Sequence, residues 1–322
     1  MKVKMPHFQN LYSFYQSAEL GSFKLAAESM FISSAAISQQ IRQLEEQLGV
    51  KLFERQHRKV VLTQEGQILH RYAQQGFSAF QEGVRQISLD NTPNSIALST
   101  LPSFAQHWLV PRLGDFCKQY PEFTFLMMPK NSLVDFAKEQ VDLCIRFGPG
   151  NYPDIHSEFL MSDHLYPVCH PLYLKEHNIK SLNDIQNARL IEDARPDMDW
   201  AHWLKIAGII TDKMTPSLQY QGAHMVIEGA LAVQGVALVR HSLAWKYIQQ
   251  GLLVKIGNIE ICSSYSYWLC GPEAYFNREK VRYFAEWIKT ETEQFWNESV
   301  QAKASNTIIL KDQEVVSNIS LS

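Results

Sequence analysis

Four side chains within one short stretch could do chemistry together: Ala35, Ser38, Gln39 and Arg42. They are small or hydrogen-bonding groups plus one cation. A helix laid in the major groove of DNA needs such a surface. Small residues allow close approach, polar groups read base edges, and a guanidinium takes phosphate or guanine. A solvated polar face on a core helix would look the same, so the stripe alone does not decide. The next segment adds weight. Lys51-Leu-Phe-Glu-Arg-Gln-His-Arg-Lys59 holds four cations against one anion and runs into Val60-Val-Leu62. It reads as a basic hairpin, with Arg55, Arg58 and Lys59 placed for phosphates or an adjacent minor groove.

Helices must position that stripe. Phe8, Leu11, Tyr15 and Ala18 recur at helical spacing until Gly21. Ser22 can cap a second helix whose apolar face is Phe23, Ala26, Ala27 and Met30. Ser33 or Ser34 can cap a third, with Ile37, Ile41, Leu44 and Leu48 inward and Gly49 as its stop. Small Ala26 and Ala27 let the second and third helices cross closely, as a helix-turn-helix requires. Thr63 can cap a long helix with Leu69, Ala73, Phe77, Phe80, Val84 and Ile87 along one seam. A module of this size has little core left for so long a stripe, so pairing with a second copy is expected.

The chain has 322 residues, 46% hydrophobic, with a net charge of -3. That excludes disorder, low complexity and a strongly basic nucleic-acid coat. Residues 1–66 hold eight Lys or Arg against six Glu and no Asp, a surplus of two; the remainder therefore carries -5. No apolar run reaches the ~20 residues of a membrane span, and the first residues lack a secretory apolar core. Five cysteines without a CxxC fit a reducing cytoplasm better than a disulfide or zinc framework. Cys262 and Cys270 are the one pair with a conceivable peroxide response.

Ser88–Asn94 reads as a linker. Beyond it strands and helices alternate: strand 95–100, helix 103–120, strand 123–128, helix 132–140, strand 142–147. Further strands are expected at 165–169, 217–220, 235–239 and 264–270, with helices at 225–234 and 278–295. The expected product is two α/β lobes joined by crossing strands, with a ligand cleft at strand ends. Trp200, His202 and Trp203 fit the second lobe's core better than a ligand stack. From about residue 300 the chain is polar apart from Ile308-Ile-Leu310, and a mobile tail is expected. No GxSxG, HExxH, Walker A or GxGxxG is present, and the histidines lack metal spacing. Neither an enzyme nor a bound metal or cofactor is expected, and a solute-binding protein would need an export signal.

Ala26-Ala-Glu28, Ser33-Ser-Ala-Ala-Ile-Ser-Gln-Gln-Ile-Arg-Gln-Leu-Glu-Glu-Gln-Leu-Gly49, Leu52-Phe-Glu-Arg55 and Leu62-Thr-Gln-Glu-Gly66 follow in that order. Together they closely resemble the LysR-type transcriptional regulators. Leu101–Leu113 and Ile145–Pro153 are similar to the subgroup containing the glycine-cleavage-system activator and the β-lactamase regulators. The resemblance implies a winged helix-turn-helix (1–66), a linker and dimerisation helix (67–94) and a periplasmic-binding-protein-like α/β effector domain (95–298). In that domain, lobe I would take about 95–163 and 268–298, lobe II about 164–267, and 299–322 would be tail. It also implies a homotetramer that bends promoter DNA, a small effector (amino acid, purine or cell-wall fragment) and RNA polymerase as a partner. DNA contact would fall to Ser33, Ser34, Ala35, Ser38, Gln39, Arg42, Arg55, Arg58 and Lys59. Ser34-Ala35 and Gln39 depart from the family's usual residues there, which implies an altered sequence preference.

Helix N-termini facing the cleft would bind carboxylate or carbonyl groups. That singles out Thr100, Ser103 and Phe104 after the first strand, Asn131 and Ser132 after the second, and Gly222-Ala223-His224 in the other lobe. Ser103 and Ser132 could equally be plain caps. Arg146 could hold an anionic ligand, or the Gly148-Pro-Gly150 turn, or a nearby carboxylate.

Overall fold

The computed structural model describes residues 5–56, 59–87, 90, 92–194, 196–209, 216–301 and 306–311. The chain divides into two compact units, residues 1–89 and 90–322.

The first unit contains α1 (Phe8–Leu20), α2 (Phe23–Ser29) and α3 (Ser34–Leu48). A hairpin of β1 (Phe53–Gln56) and β2 (Lys59–Leu62) follows, then α4 (Gln64–Ile87). The helix signals act as their chemistry requires. Gly21 and Gly49 end helices with φ of 59° and 72°. Ser22 Oγ accepts from the Leu25 amide, and Ser33, not Ser34, caps α3 by accepting from Ala36 N at 3.2 Å. Phe14, Ala26, Ala27, Ile37, Ile41, Leu44, Leu52 and Phe53 form the core. The expected face of α1 omitted Phe14, which is fully buried. This helix is covered on two sides, so one stripe could not describe it. Phe14 meets Phe53, while Phe8, Tyr12 and Tyr15 meet Phe77 of α4.

That contact divides the expected seam of α4. Leu69 and Phe77 are covered inside the unit, whereas Phe80, which meets the Phe8 ring edge-on, and Val84 remain 62% and 61% exposed. The side chain of Ile87 lies outside the described residues.

The second unit is built on one sheet whose main path runs β4 (Thr124–Pro129), β3 (Ser95–Thr100), β5 (Leu143–Gly148), β11 (Ile259–Gly271), β6 (His156–Cys169), β9 (Val236–Arg240), β7 (Leu190–Asp193) and β8 (Leu218–Tyr220). Lobe I holds β3 (Ser95–Thr100), with β4 (Thr124–Pro129) and β5 (Leu143–Gly148) parallel to it. Lobe II holds β7 (Leu190–Asp193), with β8 (Leu218–Tyr220) and β9 (Val236–Arg240) parallel to it. Two long antiparallel strands join them: β6 (His156–Cys169) and β11 (Ile259–Gly271). Both are longer than the sequence patterns indicate, because each crosses from one lobe's core to the other's. The short β10 (Val254–Lys255) pairs with β6.

Lobe I packs α5 (Pro102–Phe104), α6 (Val110–Gln119) and α11 (Glu279–Gln301) around Ile96, Trp108, Phe116, Ile145 and Phe284. Lobe II packs α7 (Pro171–Glu176), α8 (Trp200–Ile206), α9 (Ala223–Leu231) and α10 (His241–Gln249) on its sheet. Trp200 and Trp203 are fully buried, their ring N–H groups donating to Ile191 O and Leu165 O.

Three expectations are corrected. Residues 103–120 are not one uniform helix, since a π turn at Ala105–Leu109 separates α5 from α6. Pro111 has no N–H to return to the preceding turn, and Val110 N reaches back to Ala105 O instead. Residues 132–140 form no helix. The Asp135 carboxylate accepts from Ala137 N and the Glu139 carboxylate from Asp135 N, so side chains take donors a helix would need. Finally, Ile308–Lys311 is a strand, β12, lying parallel against Ile259–Cys262 of β11. Its apolar residues finish a sheet edge there; residues 312–322 lie outside the described ones.

Four of the cysteines lie on strands: Cys144 on β5, Cys169 on β6, and Cys262 and Cys270 on β11. Cys262 and Cys270 share one strand eight residues apart, about 26 Å along it, and cannot bond to each other. The residue directly across from Cys270 is Cys144.

Candidate nucleic-acid interface and effector cleft

In α3, Ile37, Ile41 and Leu44 anchor one side to the core. The opposite side carries Ser34, Ala35, Gln39 and Arg42, all exposed, with Ser38 half-buried beside them. Ser33 spends an acceptor on its cap. Ser38 Oγ donates to Ser34 O at 2.9 Å, which leaves its lone pairs outward. Among the described residues no carboxylate pairs with Arg42.

The wing is aimed by a residue that sequence patterns passed over. Glu45 is buried; it accepts from Leu52 N at 2.9 Å and Phe53 N at 3.4 Å, and pairs with Lys51 at 2.6 Å. Burial works against its charge, but Lys51 and the two amides outweigh it and hold the carboxyl below its usual range. Thr63 fixes the other end, donating to Lys51 O at 2.7 Å and accepting from Gly66 N at 3.0 Å. Gly66 has no alternative there, since a Cβ would lie 2.1 Å from Leu52 O. Arg55 and Lys59 sit on the two wing strands. Their side chains, and Arg58 entirely, lie outside the described residues.

In the second unit a cavity of about 310 Å³ opens between the lobes. Lobe I contributes Leu101, Ser103, Asn131 and Phe147; lobe II contributes Asp193, Asp197, Gln221, Ala223, His224 and Arg240; Tyr265 comes from β11. Asp193 Oδ1 accepts from Gly222 N at 3.1 Å. Arg240 pairs with Asp197 at 2.6 Å and lies 4.2 Å over the Phe147 ring. Ser263 Oγ donates to the other Asp197 oxygen at 3.0 Å.

Of the eight expected ligand residues, Ser103, Asn131, Ala223 and His224 meet in this cavity. Thr100 and Phe104 are fully buried, and Phe104 stacks on Trp108 in the lobe core. Ser132 and Arg146 serve the cleft indirectly. Arg146 donates to Lys130 O at 3.2 Å and Ser132 O at 2.7 Å, strapping down the loop that carries Asn131. Among the described residues no hydrogen bond ties it to the Gly148-Pro-Gly150 turn; a carboxylate does feel its charge, since Lys130 chiefly, and Arg146 with it, hold the Glu139 carboxyl below its usual range. The lining residues missed were Leu101, Phe147, Asp193, Pro196, Asp197, Gln221, Arg240 and Tyr265. Asp193 and Arg240 end parallel strands β7 and β9, so the strand-end rule applied to lobe II would have found them.

Next to the cleft, His107 Nδ1 lies 2.9 Å from Tyr247 Oη. Burial, with help from the charges of His224 and Lys246, pushes its pKa down to about 4. A lowered histidine pKa means the unfolded chain takes up a proton first as pH drops. Its contribution is fully present above pH 6.5 and fades toward pH 4. The stability gap between the wild type and His107→Gln should therefore narrow over that window in urea titrations. A gap independent of pH would refute it.

Two family models divide this chain between them. Residues 8–67 match the bacterial regulatory helix-turn-helix protein, lysR family, and residues 91–293 match the LysR substrate binding domain. The chain belongs to the LysR family of transcriptional regulators. It is 33% identical over 289 residues to the glycine cleavage system transcriptional activator of Escherichia coli, covering 89% of this chain and 94% of that protein. It is 30% identical over 291 residues to the HTH-type transcriptional regulator BlaA of Proteus vulgaris, covering 90% and 98%. The effector binding domain of AmpR from Citrobacter freundii matches with a TM-score of 0.55 and 25% identity, over 62% of this chain and 99% of that one. CrgA of Neisseria meningitidis shares the fold over 90% of this chain, at a TM-score of 0.52 and 19% identity. As a LysR-family protein, this chain is a DNA-binding regulator with an α/β effector domain, not a member of an enzyme family.

Proposed function

We propose that this regulator binds promoter DNA as a dimer of dimers, meets RNA polymerase there, and responds to a free amino acid or a close zwitterionic relative. The observation that carries the effector class is the charge layout of the cleft. Asp193 and the Arg240–Asp197 pair set both signs of charge on the cleft wall, and Ser103 and Asn131 add hydrogen-bonding groups beside them, which suits a ligand carrying both an ammonium and a carboxylate. A cavity near 310 Å³ suits a ligand of that size. Closing the lobes on it would favour one of two DNA-bound states. The test is calorimetric titration of the full chain with the standard amino acids, purine nucleosides and a muropeptide. Binding of an amino acid, lost in Asp193→Asn, supports the reading. Binding of only a nucleoside or muropeptide contradicts it.

The exposed end of α4 supports pairing of two copies through Phe80 and Val84. Phe80→Glu/Val84→Glu should sediment as a smaller species than the wild type at equal concentration. An unchanged sedimentation coefficient would place the interface elsewhere.

A further inference from the structure

The turn between α2 and α3 holds a residue that its backbone and the solvent both disfavour. Helix α2 ends in a Schellman turn: Ile32 N donates to Ala27 O at 3.0 Å, and Phe31 N to Glu28 O at 3.3 Å. Such a turn puts one residue in the left-handed region, where glycine or asparagine is usual because it lacks a bulky Cβ substituent. Here that residue is Phe31, with φ of 56°. Phe31 is 95% exposed, the most exposed large hydrophobic residue among those described. Strain and exposed apolar surface at one position point to a role outside the folded monomer.

The position says what meets it. Phe31 stands two residues before the α3 cap Ser33 and three before Ser34, where the exposed stripe begins. Recognition helices bring their N-terminal ends to the bases. The left-handed turn directs the chain from α2 into α3, and the ring stays out of the core formed by Ala26, Ala27 and Ile37. DNA offers apolar surface at a groove edge in deoxyribose and in the thymine methyl group, and phenylalanine is a known partner of the latter. We propose that Phe31 is a DNA-contacting residue whose ring packs on the deoxyribose and thymine-methyl surface beside the recognition helix. This rests on the reading of the Ser34–Arg42 stripe as the face turned to DNA.

The experiment is fluorescence anisotropy of the full chain on a labelled duplex carrying the DNA upstream of its own gene. Phe31→Asn and Phe31→Gly both suit the left-handed turn, and Arg42→Ala is run in parallel. Both position-31 variants should bind about tenfold more weakly, with a thermal midpoint equal to or above that of the wild type. Replacing thymine by uracil in the duplex separates the two apolar partners. A loss seen with wild type but not with Phe31→Asn assigns the methyl group, and equal behaviour assigns the sugar. Wild-type affinity in both position-31 variants, with weakened binding in Arg42→Ala, overturns the role of Phe31 alone. Wild-type affinity in all three overturns the stripe as well. Lost self-association with unchanged affinity per dimer would give Phe31 to a contact between copies and overturn the proposal.

Discussion

Arg42→Ala is expected to weaken binding to specific and random DNA alike, by about a hundredfold for a dimer. A hydrogen bond to a charged group contributes roughly 1.5–3 kcal/mol, and each dimer presents two copies. Arg42 is exposed on the outer side of α3, and its removal opens no cavity. The fold should therefore keep its stability. Each lost phosphate contact should also flatten the plot of log affinity against log salt by about 0.9, close to two for the pair. An affinity loss confined to one sequence, with an unchanged salt slope, would instead mean that Arg42 reads a guanine. No loss at all would remove it from the interface.

Lys280→Met should be the most damaging single change in the effector domain, at about 3–5 kcal/mol. The Lys280 side chain is 1% exposed. Its ammonium lies 3.0 Å from Asp90 and 2.9 Å from Asp142, and donates to Thr92 O at 3.0 Å and Ser95 O at 2.8 Å. Methionine fills the space but takes the ammonium away from two carboxylates and two carbonyls. Asp142 keeps Arg278 at 3.2 Å, so the larger penalty falls on Asp90 and the carbonyls. Burial opposes the charge on Asp90, while the Thr92 amide and Lys280 together lower its pKa. A lowered carboxylate pKa gives stability above the unfolded value, lost as pH falls through the folded one. The deficit of Lys280→Met should shrink at acid pH. Urea unfolding measures both, and a deficit under about 1 kcal/mol would show that the buried charges are solvated.

Much of this was legible in the residues, and the reasons differ by element. Ser22, Ser33, Gly21 and Gly49 act within a few residues of themselves, so local chemistry placed α1, α2 and α3. The parallel strands of both lobes showed as short apolar runs. What stayed hidden depended on distant partners. Phe14 is core only because β1 brings Phe53 to it. The segment 308–311 becomes a strand only because Ile259–Cys262 offers an edge. Residues 132–140 carry a helical pattern, but Asp135 and Glu139 spend it locally. In the cleft, Ser103 and Asn131 followed from strand ends in lobe I. Arg240 and Asp197 are 43 residues apart, and their ion pair exists only once lobe II is folded.

We expect this chain to read a specific DNA sequence. Anisotropy of the purified protein on the duplex upstream of its own gene, beside a random duplex of equal length and across a salt series, tests it directly. A sequence-reading regulator binds the upstream duplex more tightly and loses affinity steeply with salt on both. Equal, weak binding to the two duplexes at every salt concentration would contradict it.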